Sequence, residues 1–475
     1  MRQVRDLRWA SAMTTACRAA PRRRGVSLEN GPLAHGGHGR AELALPDTFW
    51  ARFASELWNR RPVVVESPFA GALPTSDQLF RVAADASDAY RAKGAQGATL
   101  RLFQEHERPS AAGGSYAAGI QIPIGELPQH GDRNFTSYAR RFRREHPGAR
   151  SALVIDGIHG HSWDLWRRMR TFLPPFFRAL GVPPGGSDLD LFAGDYGCSP
   201  FGVHKDRQHV FTFVIEGTKR FLLWPLEYFE SRRGIQASAA HMNVVLPLTR
   251  AEYEQAIPDA TVLVAHAGDM IYWPESYWHV ALGDGGMATT LAWGFVTSTS
   301  ILDRDWTRIS SGGPAPSTLD AAAVLRDGAA PLPRQIDQRI AAACTRGPAS
   351  GARQDAELAW LRFSTALGAL NMPPPIPFDP LTDDARVRGV PGSPIAWTPV
   401  ARGSCAFAAN GHATDLSGDR ATLTRVLDVF RRINAGGEHT VDALLAPFRG
   451  PHLGARDAAR EQLDLLGAWR ALERC

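Results

Sequence analysis

Lysine is nearly missing from this sequence: among 53 basic residues only Lys93, Lys205 and Lys219 are not arginine. Arginine and lysine are not interchangeable in chemistry, so each of the three is a position that asks for a reason. Cysteine is scarce as well. Cys17, Cys198, Cys344, Cys405 and Cys475 are scattered, odd in number and in no metal-ligand spacing, which excludes a cysteine-held metal site and a disulfide framework and fits a reducing, cytoplasmic compartment. No apolar run approaches the length that crosses a bilayer, so a membrane-spanning helix is not expected. Charge of one sign is also lacking: 53 basic residues against 48 acidic ones leave a formal charge of +5, too little to support nucleic-acid binding by a strong field.

What is present is enough for several cores. A chain of 475 residues, 44% of them hydrophobic, predicts two to four globular domains. Arg2, Arg5, Arg8, Arg18, Arg22, Arg23 and Arg24 face one acid, Asp6, and the following Gly- and His-rich stretch has no periodicity, so residues 1–44 read as a disordered, Arg-rich leader. Order begins near Leu45. A helix over Pro46–Trp58 would place Phe49, Phe53 and Leu57 on one face, and Arg61–Val65 reads as a strand. A helix near 76–92, strands near 98–103, 118–124 and 152–155, and one amphipathic helix from Trp163 to Leu180 follow. The pattern then turns to short strands: Leu189–Phe192, Val210–Ile215, Arg220–Trp224, Thr261–Ala265, Met270–Trp273, His279–Leu282 and Thr289–Val296. Short strands separated by Gly and Pro turns, without strand-helix alternation, predict a sandwich, jelly roll or barrel and exclude a doubly wound nucleotide-binding sheet.

After residue 300 the character changes. Leu319–Arg326, Gln335–Thr345 and Ala356–Leu370 look helical, and Pro373–Pro377 is a stiff connector, giving a helical linker or dimerisation segment over 301–385. Residues 386–475 hold strand-like Ile395–Val400 and Cys405–Ala409, a turn at Asn410-Gly411, and helices near Arg420–Asn434, Val441–Phe448 and Arg456–Leu472. Two strands and three short helices suit a small winged-helix-like domain.

Chemistry concentrates in Gly202-Val203-His204-Lys205-Asp206. On an extended strand residues i and i+2 share a side, so His204 and Asp206 can present an imidazole and a carboxylate to one point. An H-x-D triplet alone is weak, and the chain carries a decoy in His130-Gly131-Asp132, set in a polar loop with no strand to align it. His279 supplies the missing partner, since it opens a strand after the Gly268-Asp269 turn. Two histidines and one carboxylate on strands form the facial set that holds non-haem Fe(II) and leaves three coordination positions open.

These residues, with Gly217-Thr218-Lys219-Arg220 and Pro274–His279, resemble the JmjC and cupin-like 2-oxoglutarate oxygenases, most closely the ribosomal-oxygenase branch, over roughly residues 45–475. The resemblance implies a mainly β fold with α: a double-stranded β-helix core over 45–300, the helical dimerisation segment and the winged-helix domain. It implies Fe(II) held by His204, Asp206 and His279, with 2-oxoglutarate as cosubstrate and O2 as oxidant. Lys219 stands 15 residues after His204, where the family binds the distal carboxylate of 2-oxoglutarate. One departure stands out: Asp190 and Phe192 occupy the positions where that branch has an Asn and a Tyr that help hold the cosubstrate, so Tyr196, Thr212 and His209 are the candidate replacements. The implied activity is hydroxylation of an amino-acid side chain in a protein or peptide by a possible homodimer. The alternatives are oxidation or N-demethylation of a small molecule or methylated side chain, and a non-catalytic cupin scaffold.

Overall fold

A computed structural model describes residues 43, 45–69, 71–106, 124–199, 201–233, 244–246, 248–297, 318–334, 336–338, 352–401, 403–448 and 453–475. The expected leader and the strand near 118–124 lie almost wholly outside these residues, as does most of the helix expected over Gln335–Thr345. The chain divides into two compact units, the first holding the chain up to Pro175 with Asp188–Val296, the second holding Phe176–Ser187 with Thr297–Cys475.

Twelve strands build unit 1: β1 Val63–Val65, β2 Thr99–His106, β3 Ala149–Asp156, β4 Ser187–Gly194, β5 His204–Lys205, β6 His209–Glu216, β7 Thr218–Pro225, β8 Val244–Val245, β9 Thr261–His266, β10 Met270–Trp273, β11 Tyr277–Leu282 and β12 Ala288–Phe295. They form a seven-stranded sheet in the order β1-β10-β6-β12-β4-β3-β2 and a five-stranded sheet in the order β8-β5-β11-β7-β9. From β5 to β7 and again from β9 to β12 each successive strand changes sheet, which is the winding of a double-stranded β-helix, as the strand pattern predicts.

The turns make this winding possible. Gly217, between β6 and β7, has φ +76°, and a Cβ there would lie 2.3 Å from the Met287 carbonyl oxygen, so only glycine fits without displacement. Gly268, at φ +98°, turns β9 into β10, with the Asp269 carboxylate accepting from Ser67 N–H at 3.0 Å and His266 N–H at 2.8 Å.

β6 shows why its run is apolar on both faces. Phe211 and Phe213 turn outward, under the helices, where Phe53 meets Phe211 at 5.5 Å and Phe172 meets Phe213 at 5.5 Å between ring centroids. Val210 and Thr212 take the other side, toward the space between the sheets. The outer helix Asp47–Glu56 buries Phe49, Trp50 and Phe53, close to the expected face.

Two sequence expectations need correction here, and three helices are added to them. The helix expected over Trp163–Leu180 is broken into Trp163–Met169, a 3-10 turn Arg170–Phe172, and Leu173–Leu180. Pro174 and Pro175 lack the N–H groups that a continuous helix would use, so the second piece starts at them. The strand expected to carry both His204 and Asp206 is only two residues long, because the chain leaves the smaller sheet after Lys205 and joins the larger one at His209. Asp206 therefore sits on the crossing segment. Finally, the helices Phe135–Glu145, Leu226–Arg233 and Arg250–Ala256 were not anticipated.

Unit 2 has its own core, in which Trp397, Phe407, Phe430, Leu463, Leu466 and Trp469 pack together. Its strands are β13 Gly328–Ala329, β14 Arg386–Gly389, β15 Ala396–Trp397, β16 Ser404–Ala409, β17 His412–Ser417, β18 Glu438–Thr440 and β19 Leu472–Arg474. They form two small sheets, β13-β15-β16-β17 and β18-β14-β19. Asn410 and Gly411 have φ of 49° and 80°, both positive, and close the β16–β17 hairpin at the place the Asn-Gly pair predicts. Helices Arg420–Asn434, Val441–Leu445 and Leu453–Ala468 cover this core. Among the described residues no helix is long and apolar enough to cross a membrane, and Cys198, Cys405 and Cys475 form no disulfide.

Candidate metal and cosubstrate site

His204 and His279 are direct partners across the β5–β11 pair, so their imidazoles leave the sheet side by side, with ring centroids 4.2 Å apart. Asp206 folds back over them from the crossing segment. Its Oδ2 lies 3.9 Å from His204 Nε2 and 3.5 Å from His279 Nε2, and one ligand atom from each of the three side chains falls within 4.8 Å of the others. Such spacing suits three donors around one ion rather than three groups dispersed in solvent.

The protonation states agree with that use. His204 Nδ1 lies 3.0 Å from the Gly202 carbonyl, which can only accept, so Nδ1 is the donor there and Nε2 is the nitrogen left facing the site. Gly202, at φ +62°, provides the turn that brings this carbonyl round. Burial pushes the His279 pKa down to about 3, with the neighbouring His204 adding to the effect and Asp206 opposing it, so the ring is neutral near pH 7 and able to ligate. Lys205 takes the opposite side of β5. Its buried Nζ donates to the Asp206 carbonyl at 3.3 Å and ties down the backbone that carries the carboxylate.

Between the sheets a cleft of about 610 Å³, open mouth included, runs from these three residues to Lys219. Lys219 is 2% exposed on β7, and its Nζ donates to the Tyr196 hydroxyl at 2.5 Å while lying 4.1 Å from the centre of the same ring. Tyr196 owes its position to Gly194, where a Cβ would sit 2.2 Å from the Ser151 carbonyl oxygen and 2.7 Å from the tyrosine ring. Asp195, between them, is pinned by Ser151 N–H at 2.9 Å and by Arg143 at 3.2 Å. Thr212, 2% exposed, lines the same cleft from β6, and its hydroxyl has no hydrogen-bond partner among the described residues. The buried Lys219 amino group and the orphaned Thr212 hydroxyl face one cavity and could together hold a carboxylate.

The structure thus brings together His204, Asp206, His279, Lys219, Tyr196 and Thr212. It does not bring in His209. That ring lies on the other face of β6, stacked on Trp58 at 4.1 Å and 3.1 Å from the Tyr272 hydroxyl, with its pKa lowered to about 3 by burial. Alternation along β6 already opposes residue 209 to residues 210 and 212. The decoy pair behaves as one: His130 lies 3.1 Å from Asp85, and Asp132 accepts from Arg141 at 2.7 Å.

Sequence reasoning missed the walls. Phe201, Gln208, Trp273 and Thr290 all line the cleft, beside Phe192, which the sequence had placed there. Phe201 sits 5.5 Å from the His204 ring and carries the Arg101 guanidinium over its face at 5.2 Å. The Gln208 carboxamide crosses β12 at Gly294, where a Cβ would be 2.3 Å from Oε1. A glycine inside an apolar strand, one residue from its end, was the available signal for that close approach.

Residues 187–301 match the family model of the JmjC domain. Over the whole chain, the solved structures similar to it include the X-ray structure of E. coli ycfD, at 14% identity and a TM-score of 0.46, covering 92% of this chain and 100% of that one. They also include YcfD, a ribosomal oxygenase from Escherichia coli, in complex with cobalt and succinic acid, at 13% identity and a TM-score of 0.43 over 90% of this chain and 98% of that one. The same protein in complex with cobalt and 2-oxoglutarate matches at 14% identity and a TM-score of 0.42, again over 90% and 98%. No curated protein matches in sequence.

Proposed function

We propose, on the premise that residues 187–301 carry a JmjC domain, that this chain is an Fe(II)- and 2-oxoglutarate-dependent oxygenase that hydroxylates an amino-acid side chain in a protein or peptide. The observation that carries the reading is one cleft with His204, Asp206 and His279 at one end and the buried Lys219–Tyr196 pair further in.

The donor set fits Fe(II): two imidazoles and one carboxylate would fill one face and leave the rest for ligands. Bound there, iron with 2-oxoglutarate and O2 supplies oxidative decarboxylation to succinate and CO2 coupled to insertion of an oxygen atom into a C–H bond. The protein residues bind and orient. Lys219 would neutralise the distal carboxylate, Tyr196 holds that ammonium in place, and the Thr212 hydroxyl would donate to the same carboxylate. Phe192, Phe201 and Trp273 keep the cleft apolar around the reacting atoms. Asp206 favours hydroxylation over halogenation, because a halide needs the position that the carboxylate fills.

A protein substrate is supported by unit 2, a second body with a core of its own, which a small metabolite does not require. The three helices and the β18-β14-β19 sheet suit a winged-helix-like module over 386–475. Pairing of two copies through 301–385, and a reducing cytoplasmic setting, belong to the same proposal.

The test is succinate formation by purified protein with Fe(II) and 2-oxoglutarate, alongside mass spectrometry of extract proteins for a gain of one oxygen. Succinate from the wild type, none from His204→Ala, and an oxygen-shifted peptide only with active enzyme are expected. Iron binding without 2-oxoglutarate binding, unchanged by His204→Ala, would leave a non-catalytic scaffold. Turnover with oxidised small molecules and no modified peptide would move the substrate to the metabolite class.

A further inference from the structure

Asp190 is the one carboxyl in the cleft wall that the reading above leaves without a task, and it rests in an environment built against its charge. It lies on β4 facing the cleft, in the same row as Phe192. Its Oδ1 accepts from Gly157 N–H at 2.9 Å, the single hydrogen bond to this side chain among the described residues. Two further carboxylates crowd it: Asp188 from its own strand and Asp156 from β3. Arg101, on β2, is the neighbouring cation, and it is already paired with Asp156. His159, 3.8 Å from Asp188, is buried, and burial holds its pKa down at about 4, so it brings no positive charge. Lys219 lines the cleft from the opposite sheet and is engaged with Tyr196. Carboxyls set this close cannot all ionise at ordinary cost, and Asp190, which faces the cleft with a single backbone donor, is the one to keep its proton. Burial first, then Asp188 and Asp156, push the Asp190 pKa well above the usual carboxylate range.

We propose that Asp190 enters the cleft as a neutral carboxylic acid whose O–H donates a hydrogen bond to a carboxylate oxygen of the bound 2-oxo acid, making cosubstrate affinity dependent on pH. An ionised carboxylate in that wall would repel the same ligand. This rests on the 2-oxoglutarate reading above and adds to it a second donor and a built-in upper pH limit. The sign follows from linkage. The donor is present below the raised pKa of Asp190 and lost as pH rises through it, and an arriving anion draws the proton back on.

The test is calorimetric titration of 2-oxoglutarate into the Mn(II)-loaded full-length protein across pH, in buffers of different ionisation enthalpy, for the wild type and Asp190→Asn. The wild type should lose affinity by about tenfold per pH unit above the Asp190 pKa and take up about one proton per ligand there. Asp190→Asn, with a permanently neutral donor of the same shape, should bind with a flat profile, take up no proton in that range, and exceed the wild type at high pH. Parallel profiles with equal proton uptake, or uniformly weaker binding by Asp190→Asn, would overturn the assignment while leaving the oxygenase reading intact. Absence of 2-oxoglutarate binding to either protein at every pH would overturn that reading and this one with it. Wild-type proton uptake is read without any variant, so poor folding of Asp190→Asn does not remove the test.

Discussion

Lys219 is one of three lysines in a chain whose other basic residues are arginine, and its single Nζ both donates to the Tyr196 hydroxyl and lies over the same ring, a point contact that suits a compact amine better than a planar guanidinium. Lys219→Ala should weaken 2-oxoglutarate binding by roughly ten- to hundredfold, the worth of about 1.5–3 kcal/mol for a charge-assisted hydrogen bond, while Mn(II) affinity, read by electron paramagnetic resonance, stays near wild type. Equal losses in both would remove the lysine from its assigned place. Tyr196→Phe keeps the ring and deletes the hydroxyl, so it should cost about 0.5–1.5 kcal/mol in the same titration. At this scale the sequence was informative about ligand type and weak about orientation. His204, Asp206, His279 and Lys219 were legible because their residue types are unusual in apolar strands. His209 was misjudged because polarity was weighed without the alternation that turns it toward Trp58.

Elements were legible in proportion to their length and periodicity. The long strands and the helices Ser76–Lys93 and Arg420–Asn434 carry their pattern over many residues. β5 and β8, two residues each, have no period to read, and it is the brevity of β5 that lets Asp206 leave the sheet. Phe135–Glu145 escaped notice although Phe135, Tyr138, Ala139 and Phe142 follow helical spacing, because its arginine-rich remainder reads as a polar connection. The tightest element-level constraint is the β6–β7 turn. Gly217→Ala places a side chain at positive φ and against the Met287 carbonyl, so it should cost about 1–3 kcal/mol in denaturant unfolding. Because β7 carries Lys219 two residues later, the same substitution should also weaken 2-oxoglutarate binding; loss of stability with unchanged affinity would separate the turn from the site.

The two units have separate cores, and this sets what ligands and core substitutions do to the whole chain. Under the proposed function Mn(II) and 2-oxoglutarate would bind residues of unit 1, so each at a hundredfold excess over its Kd should stabilise that unit by about 2.7 kcal/mol and raise its calorimetric transition. Phe430, fully buried against Trp397 and Phe407, belongs to unit 2. Phe430→Ala should cost about 3–5 kcal/mol and lower a transition that does not respond to these ligands. A single ligand-sensitive transition in both proteins would show that the units melt as one.

The first strand of the larger sheet is also the one separated from its neighbour by the longest stretch of chain. Val63–Val65 pairs with β10, and Asn59 N–H donates to the Tyr272 hydroxyl across 213 residues of chain. Pairings of such separation form late and slowly. During synthesis His204 and Asp206 leave the ribosome well before His279, and in that interval the chain holds two metal donors and no site. Under the proposed function, iron loading therefore waits until β11 brings His279 beside His204.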